Sequence, residues 1–190
     1  MSIRLDGKFI ALRPISRSDA EDIYKNAKDK EISRFTFIPH PYTMDDAFRF
    51  IKLSRKHERQ GTSYHFGIEL KATGRIIGMI GVHGVNSKHK RAELGYFVGR
   101  KYWGKGFAGE ALRLVLSFGF NRLRLKRMVA GVMHPNVMSS RLLERAGFTL
   151  EGRNRKHFKQ HGRWLDEMRY GILREEYRLR ESRSLAASRK

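Results

Sequence analysis

The sequence predicts an α/β protein in which one mixed sheet carries helices on both faces. Its 190 residues, 40% hydrophobic and 11% aromatic, suit one globular domain with a sizeable core. Stretches with strand or helix periodicity follow one another in the order strand, two helices, three strands, helix, strand, helix, two strands. In the middle of the chain a glycine-rich stretch joins an extended segment to a helix. This order favours one layered domain without internal repeats.

The first third of the chain predicts short strands followed by two helices. Residues 3–13 alternate between apolar and polar side chains, which is typical of one or two short strands. Capping boxes at residues 18–21 and 43–46 predict the starts of two helices. Residues 35–41 contain two prolines, each of which disfavours helical geometry in the residue before it. We therefore expect a loop with exposed aromatic side chains between the helices.

The remaining elements are bounded by glycine and proline signals. The predicted strands are residues 64–70, 75–82, 91–98, 127–132, 148–159 and 166–173. One helix is expected from Ala108 onward and another from Asn136, with Gly147 ending the second. His161 and Gly162 predict the turn of a final hairpin. The charged residues 174–190 are expected to fray.

The most unusual global property is a formal net charge of +21, with a pI of about 10.7. Basic residues cluster at 88–91, 122–127 and 153–163. Such a surface favours polyanionic partners, namely nucleic acid, the ribosome or acidic proteins, with strong salt dependence. The alternative is that these charges only form solvated faces.

Several classes of chemistry are excluded or disfavoured by composition. The chain has no cysteine, so disulfides, thiolate metal sites and an acetyl-cysteine intermediate are impossible. No pair of histidines has metal-site spacing, and we expect no metal. The N-terminus lacks an apolar signal region, and the longest apolar run, residues 76–82, is too short to cross a bilayer. These features predict a soluble, cytoplasmic protein that does not bind membranes.

The glycine-rich stretch has the composition of an anion site. Gly104, Gly106 and Gly109 lack a β-carbon and let backbone N–H groups approach an anion closely. The N-terminus of the helix that follows adds free N–H groups and partial positive charge, and Lys105 adds a full charge. Such a turn can also simply end a strand. Neither the P-loop motif nor the dinucleotide fingerprint is present.

A second stretch, residues 136–148, has the pattern Asn-x-x-Ser-x-x-Leu-Leu-Glu-x-x-Gly-Phe. Together with Trp-Gly-Lys-Gly-Phe-Ala at residues 103–108, it resembles the GNAT superfamily of acetyl-CoA-dependent N-acetyltransferases. Trp103 replaces the usual Gln or Arg of the first motif. That departure is similar to the branch that acetylates the N-termini of ribosomal proteins, where Trp-Gly-x-Gly-x-Ala is common.

The resemblance implies a fold and a reaction. The fold would be the GNAT fold, with a mixed central sheet of about six or seven strands. Residues 1–175 would form a single acetyltransferase domain, followed by a basic tail at residues 176–190. Acetyl-CoA would bind as co-substrate in a gap between the strands at residues 91–98 and 127–132. Its acetyl group would pass directly to a primary amine.

The resemblance also implies a set of cofactor-binding residues. The glycine loop would grip the pyrophosphate of coenzyme A, and backbone N–H groups near Phe97 and Val98 would reach the thioester oxygen or the pantetheine. Asn136 would anchor the pantetheine arm, although it is equally suited to capping the helix it begins. The implied residues are Phe97, Val98, Trp103, Gly104, Lys105, Gly106, Phe107, Ala108, Gly109, Asn136 and Ser139.

Two residues are candidates for catalysis. Ser139 matches the motif serine that, in the ribosomal-protein branch, is placed to protonate the leaving sulfur; helix capping is its alternative role. Many relatives use a tyrosine a few residues further into this helix, where this chain has Leu142 and Leu143. Glu93 is the candidate base, acting directly or through water, unless it is only a solvent-facing strand residue. The histidines that remain as alternatives are His65, His83, His134 and His157.

Basicity and charge favour a protein N-terminus as acceptor. An α-amine has a pKa near 7.7–8.0 and lysine one near 10.4, so deprotonating lysine at neutral pH costs roughly 3 kcal/mol more. Positive protein charge also repels polyamines. We expect Arg153, Arg155, Lys156 and Lys159 to lie beside the acceptor cleft, on a monomer or homodimer. The alternatives are a small-molecule amine acetyltransferase, for a polyamine, antibiotic or metabolite, and a non-catalytic protein that binds RNA or the ribosome.

Overall fold

One eight-stranded sheet organises the molecule. The computed structural model describes residues 3–187, with side chains described through Ser182. The strands are β1 (Leu5–Asp6), β2 (Ile10–Pro14), β3 (Tyr64–Leu70), β4 (Arg75–Asn86), β5 (Arg91–Val98), β6 (Arg127–Met133), β7 (Thr149–Gln160) and β8 (Arg163–Leu173). Their spatial order is β1-β2-β3-β4-β5-β6-β8-β7. Within residues 3–187, β5 and β6 are the one parallel pair and the other neighbouring strands are antiparallel. The predicted α/β class is confirmed.

The sheet has slightly more strands than the six or seven expected. The additional strand comes from the N-terminus, where β1 and β2 form a separate antiparallel pair with Leu5 opposite Leu12. Gly7 lies in the turn between them, and its N–H donates to the carbonyl of Ile10 at 2.9 Å. β4 also continues to Asn86 because that residue still pairs with Arg91 of β5.

Helices cover both faces of the sheet, as expected. They are α1 (Ala20–Ala27), α2 (Lys30–Ser33), α3 (Met44–Arg59), α4 (Phe107–Ser117), α5 (Val137–Ala146) and α6 (Arg174–Ala187). A cluster around Ile23, Ala47 and Met79 joins α1 and α3 to one face. The larger cluster, which includes Leu112 of α4 and Leu143 of α5, fills the other. The two faces of β5 therefore look into different environments.

The capping box predicted at residues 43–46 is confirmed. Thr43 and Asp46 exchange bonds, with Thr43 N donating to Asp46 Oδ2 at 2.9 Å and Asp46 N donating to Thr43 Oγ1 at 3.2 Å. The chain before it forms the loop expected at residues 35–41, and Phe37 there is 72% exposed. The short helix α2, which the sequence did not predict, precedes this loop.

The box predicted at residues 18–21 is wrong, since the box lies two residues earlier. Ser16 N donates to Asp19 Oδ2 at 2.7 Å, and a single turn of 3₁₀ helix leads from there into α1. Asp19 is preferred over Glu21 in the capping box because its buried carboxylate also accepts hydrogen bonds from both terminal nitrogens of Arg13, each at 2.8 Å. The bond to Arg13 ties the start of α1 to β2, a contact that local spacing does not reveal.

The expectation of a frayed tail also differs from the structure, because residues 174–187 form α6. Tyr177 of this helix is 7% exposed and stacks on Phe120, with ring centroids 5.0 Å apart. Arg180 donates to the carbonyl of Arg145 at 2.9 Å. Burial of an aromatic side chain thus anchors the first turns of α6. Residues 188–190 lie outside the described part of the chain.

The two parallel strands separate after a short contact. β5 and β6 pair only from Arg91 with Arg127 to Glu93 with Val129. Beyond that point β5 continues to Val98, whereas β6 stays paired with β8 as far as Met133. A gap therefore opens between β5 and β6, between the two strands where the resemblance implied one.

Candidate active site

The glycine loop begins where β5 ends and closes with the first turn of α4. Gly104 and Gly106 have φ angles of +73° and +80°, in the left-handed region that side chains with a β-carbon rarely adopt. Gly106 is the residue immediately before α4. No atom lies within 4 Å of where a β-carbon would stand at either glycine. The conformation therefore requires glycine, while the space above the backbone is open.

The N–H groups of this loop are available to an anion. The first helical bond of α4 runs from Glu110 N to Gly106 O at 3.1 Å. Among the described residues, none accepts a hydrogen bond from the backbone N–H groups of residues 104–109. Free N–H groups and the helix dipole make this end of α4 an anion cradle.

Cationic side chains surround the loop. Arg100, Lys101 and Lys105 are all exposed. The ammonium groups of Lys101 and Lys105 lie 4.9 and 5.9 Å from the ring centroid of Tyr102, within range of a cation–π attraction. Lys105 lies within the loop itself, so its charge complements that of a phosphate.

Trp103 shapes the loop from within. Its Nε1–H donates to the carbonyl of Val98 at 2.5 Å, so the indole ties the loop to the last residue of β5. Asn26 of α1 packs against Gly99 at the start of the loop. Its Nδ2 donates to Ile76 O of β4 at 3.0 Å, which fixes the position of the Asn26 side chain. A β-carbon at Gly99 would lie 2.0 Å from Asn26 Oδ1, so only glycine fits there. Contacts from β4 and α1 thus fix the loop at its base.

Strand alternation decides which backbone groups face the gap. Gly99 N donates to Ile77 O at 2.8 Å, and hydrogen-bonding residues alternate along an antiparallel pair. The N–H of Phe97 is therefore directed at β4, and that of Val98 at the gap. The Phe97 side chain packs with α1 and α3. This geometry favours Val98 over Phe97 as a backbone donor to a ligand.

Asn136 and Ser139 have different tasks at the start of α5. Asn136 Oδ1 accepts from Ser139 N at 3.2 Å, so Asn136 is the cap. The hydroxyl of Ser139 is not used for capping and lies 2.8 Å from the hydroxyl of Tyr96. Gly147, with φ +102°, ends the helix as predicted.

Tyr96 is a residue that the sequence reasoning missed. It alternates on β5 with Leu94 and Val98, which belong to the core on the α4 and α5 side. Its side chain crosses from β5 to α5 on the side where the strands have separated. Burial raises its pKa to about 12, although the bond to Ser139 acts in the opposite direction. The period-2 pattern of β5 would have placed it on this face.

Glu93 lies on the opposite face of β5 and is held by an arginine. Arg169 Nη1 and Nη2 donate to its two carboxylate oxygens, each at 3.1 Å. Arg169 Nη1 also donates to Glu167 Oε1 at 3.1 Å, and Asn154 donates to Glu167 Oε2 at 2.7 Å. One guanidinium thus stands between two carboxylates. Each Glu93 oxygen keeps a second lone pair with which it can bind water.

Two of the candidate histidines lie on the same face as Glu93. His83 is directly opposite Glu93 in the β4–β5 pair and lines, with Glu93 and Arg169, a pocket of about 230 Å³. Burial lowers the pKa of His83, with Glu93 and Arg169 acting in opposite directions, so a neutral ring is favoured. Burial lowers the pKa of His65 further, to about 4.

The other two histidines are exposed. His157 packs edge-on against Phe158, and its Nε2 lies 3.7 Å from Glu167 Oε2. The ring of His134 is also exposed. In residues 3–187 no group of three or more histidines and carboxylates has the arrangement of a metal site.

The final hairpin contacts the loop between α2 and α3. Gln160 Nε2 donates to the carbonyls of Ser33 at 2.6 Å and Thr36 at 2.9 Å. The rings of Phe37 and Phe158 meet edge to face at 5.0 Å. These contacts join the hairpin to the loop on the sheet face that carries Glu93.

The basic residues expected on this hairpin are exposed. Arg153 is paired with Asp166 at 2.6 Å, whereas Arg155, Lys156 and Lys159 extend from β7, an edge strand. As to membranes, the helices within residues 3–187 include none with the length and apolar character of a membrane span.

Comparison with known proteins gives consistent matches. Residues 10–149 match the family described as the acetyltransferase (GNAT) domain. The uncharacterized N-acetyltransferase YoaA of Bacillus subtilis is 34% identical over 165 residues, which cover 87% of this chain and 93% of that protein. The solved structure of Mycobacterium smegmatis RimJ in complex with CoA-disulfide has a TM-score of 0.82 and 25% identity, covering 93% of this chain and 87% of that one. Spermidine N-acetyltransferase of Vibrio cholerae, solved with CoA and spermine, has a TM-score of 0.79 and 26% identity, covering 90% and 99%.

Proposed function

The chain belongs to the GNAT family of acetyl-CoA-dependent N-acetyltransferases, and from that premise we propose that its acceptor is the α-amine of a protein N-terminus. The observation that carries this proposal is the positive charge, +21 over the chain, with Arg155, Lys156 and Lys159 of the final hairpin exposed. The acceptor then needs to be one that positive charge does not repel.

The cofactor position in this proposal follows from the backbone. The pyrophosphate of acetyl-CoA binds the N–H groups of residues 104–109, whose cradle is open and positively charged. The pantetheine follows the gap toward Asn136. The N–H of Val98 donates to the thioester oxygen, where negative charge develops during transfer.

Proton removal takes place on the opposite face of β5. With both oxygens bonded to Arg169, Glu93 accepts a proton through a bound water rather than by direct contact. A weak, water-relayed base suits an α-amine, which needs roughly 3 kcal/mol less than lysine to become neutral at pH 7. His83, neutral and adjacent, is the alternative proton acceptor.

Charge separates the candidate acceptors. A polyamine carries several positive charges and is repelled by the exposed Arg155, Lys156 and Lys159. An N-terminus on an acidic protein, or one presented on ribosomal RNA, is drawn toward the same side chains. Ribosome proximity is thus part of this proposal.

Polyamine acetylation is the second candidate, and one observation favours it. Glu93 and Glu167 share the guanidinium of Arg169, so these three side chains carry one net negative charge, although Arg91 lines the same pocket as Glu93. That local charge can hold an ammonium group even though the surrounding surface is basic. The spermidine acetyltransferase among the solved relatives is consistent with this reading.

Salt dependence tests the two candidates. The experiment measures kcat/KM for an acidic-tailed peptide, a basic-tailed peptide and spermidine from low to high salt, since the Debye length falls from about 10 Å at 0.1 M to about 3 Å at 1 M. The variant carries Gln at residues 153, 155, 156 and 159. Its matched control carries Gln at four exposed basic positions of α3, namely Lys52, Arg55, Lys56 and Arg59.

We expect the acidic-tailed peptide to be the best substrate and its kcat/KM to fall most steeply as the salt concentration rises. The hairpin variant should flatten that slope, and the α3 variant should leave most of it. If spermidine is the best substrate at low salt, or if both variants flatten the slope equally, the acceptor assignment is wrong.

A further inference from the structure

We propose that Tyr96 is a positioning residue for acetyl transfer, which holds the Ser139 hydroxyl so that its hydrogen is directed at the leaving sulfur. The inference rests on the proposed position of acetyl-CoA in the gap, gives Ser139 a hydrogen bond to the sulfur rather than the proton transfer that the resemblance implied, and is independent of which amine accepts the acetyl group. It also gives a function to a tyrosine that lies next to the gap and has no other assigned task.

The position of Tyr96 follows from the way the sheet separates. Pairing between β5 and β6 ends at Glu93, three residues before Tyr96. Tyr96 therefore lies on the part of β5 that borders the gap, and its side chain projects toward α5 rather than toward α1 and α3. Its hydroxyl reaches Ser139 Oγ at 2.8 Å, an ideal O–H···O length.

The direction of this hydrogen bond can be inferred from the two hydroxyls. A phenol is a stronger acid than an aliphatic hydroxyl, so Tyr96 is the better donor of the pair. Burial raises its pKa to about 12, and it keeps its proton throughout the neutral range. When Ser139 accepts from Tyr96, its own hydrogen is free for another acceptor. The backbone N–H of Ser139 is already bonded to Asn136 and fixes the residue in place.

The step this arrangement serves is departure of the thiolate. The amine nitrogen bonds to the acetyl carbon, the carbon–sulfur bond breaks, and its electron pair leaves on sulfur. Ser139 donates a hydrogen bond to that developing charge. The amine proton leaves on the Glu93 side, and the sulfur takes up one proton from solvent. In the overall balance, nitrogen loses one proton and sulfur gains one by way of solvent, while Ser139 and Tyr96 keep their protons.

A double-mutant cycle tests the coupling. Ser139→Ala should lower kcat by about 10²-fold, and Tyr96→Phe by about tenfold, without changing KM for acetyl-CoA. If Tyr96 acts through Ser139, the double variant should be no slower than Ser139→Ala alone. Rates are followed by thiol release with acetyl-CoA and the better of an N-terminal peptide and spermidine.

Tyr170→Phe is the matched control. Tyr170 is a buried tyrosine of β8 whose hydroxyl donates to Glu144 of α5 at 3.1 Å. It should lose comparable stability in thermal unfolding and retain kcat. A general loosening of α5 would instead slow both Phe variants alike.

An acceptor-free measurement separates this inference from the proposed function. In complexes with CoA, ultraviolet absorbance follows ionisation of the bound thiol. The wild-type protein should ionise it at lower pH than Tyr96→Phe or Ser139→Ala does, because both variants lose the donor that stabilises the thiolate. Identical titrations in all three proteins, or additive losses of kcat in the double variant, would overturn the role of Tyr96 whatever the acceptor is.

Discussion

The two sides of the β5–β6 gap are built from different groups. On the loop side, six consecutive residues, 104–109, present backbone N–H groups, and the glycines at 104 and 106 are needed for their left-handed φ. On the cleft side, charged and titratable side chains meet from separate strands: His83 on β4, Glu93 on β5, and Glu167 and Arg169 on β8. The first site is local in sequence, and the second is assembled by the tertiary fold.

This difference determines how each side responds to substitution. Backbone N–H groups keep their positions when most side chains are changed. They are displaced only when a glycine with a left-handed φ is replaced. A side-chain network depends on every member, because removing one partner leaves another charge without its counter-charge. The cleft should therefore be the more sensitive side, both to mutation and to pH.

The largest effect should come from Glu93→Gln. Loss of the carboxylate removes the proposed base and should lower kcat about 10²-fold or more at neutral pH, with the Kd for CoA unchanged. The matched control is Glu69→Gln, which also removes an arginine-bound carboxylate, one bonded to Arg4 and Arg13 away from the gap. It should affect stability but not kcat.

The pH profile of the same variant distinguishes the two possible proton acceptors. If Glu93→Gln keeps the wild-type rate across the neutral range while His83→Gln loses it, the base is the histidine. Retention of the rate in both variants would remove this part of the cleft from proton transfer altogether.

A smaller effect concerns stability in acid and originates from His65. Its folded pKa of about 4 lies below the unfolded value of about 6.5, because burial and the nearby His83 and His57 disfavour the charged ring. The unfolded chain therefore binds the proton first, and stability is lost as pH falls from about 6.5 to about 4. At pH 5 the loss from this residue is about 2 kcal/mol.

Chemical denaturation at pH 7 and pH 5 measures the loss in free energy of unfolding that His65 is expected to cause. His65→Gln should lose less stability between the two values than the wild-type protein, and the exposed His89→Gln should behave like wild type. Equal losses in all three proteins would show that the cleft face is not the source of acid sensitivity.

The smallest effect should follow from Gly106→Val. A β-carbon there strains the backbone at φ +80° and fills the open space where the pyrophosphate is proposed to bind, so the Kd for CoA should rise about tenfold or more. Gly74→Val is the control, since Gly74 has φ +68° and equally open surroundings in the β3–β4 turn. Calorimetry that finds unchanged affinity in the loop variant would refute the placement.

Features encoded by neighbouring residues were predictable from the sequence. The bounds of β3 and β5, the capping box at Thr43, the end of α5 at Gly147 and the final hairpin turn all depend on residues close together in the chain. The glycine loop belongs with them. The pyrophosphate site proposed there consists of the same residues that form its motif.

Features that need distant partners were not predictable. Asp19 completes the capping box with Ser16 because Arg13 lies beside it, and Glu93 is bound at both oxygens because the fold places Arg169 of β8 next to β5. Tyr96 has the pattern of a core residue, and only the separation of β5 from β6 brings it to Ser139. The gap itself was expected by resemblance to a family and not from periodicity.

Amide NMR during a titration with CoA tests the central claim most directly, namely that backbone N–H groups of residues 104–109 hold the pyrophosphate. We expect the largest chemical-shift changes at these amides and at Val98, whereas pantetheine, which lacks the pyrophosphate, should shift the amides of Val98 and Ser139 but not those of the loop. If CoA binds and the amide chemical shifts of residues 104–109 do not change, the loop is not the site that holds the pyrophosphate.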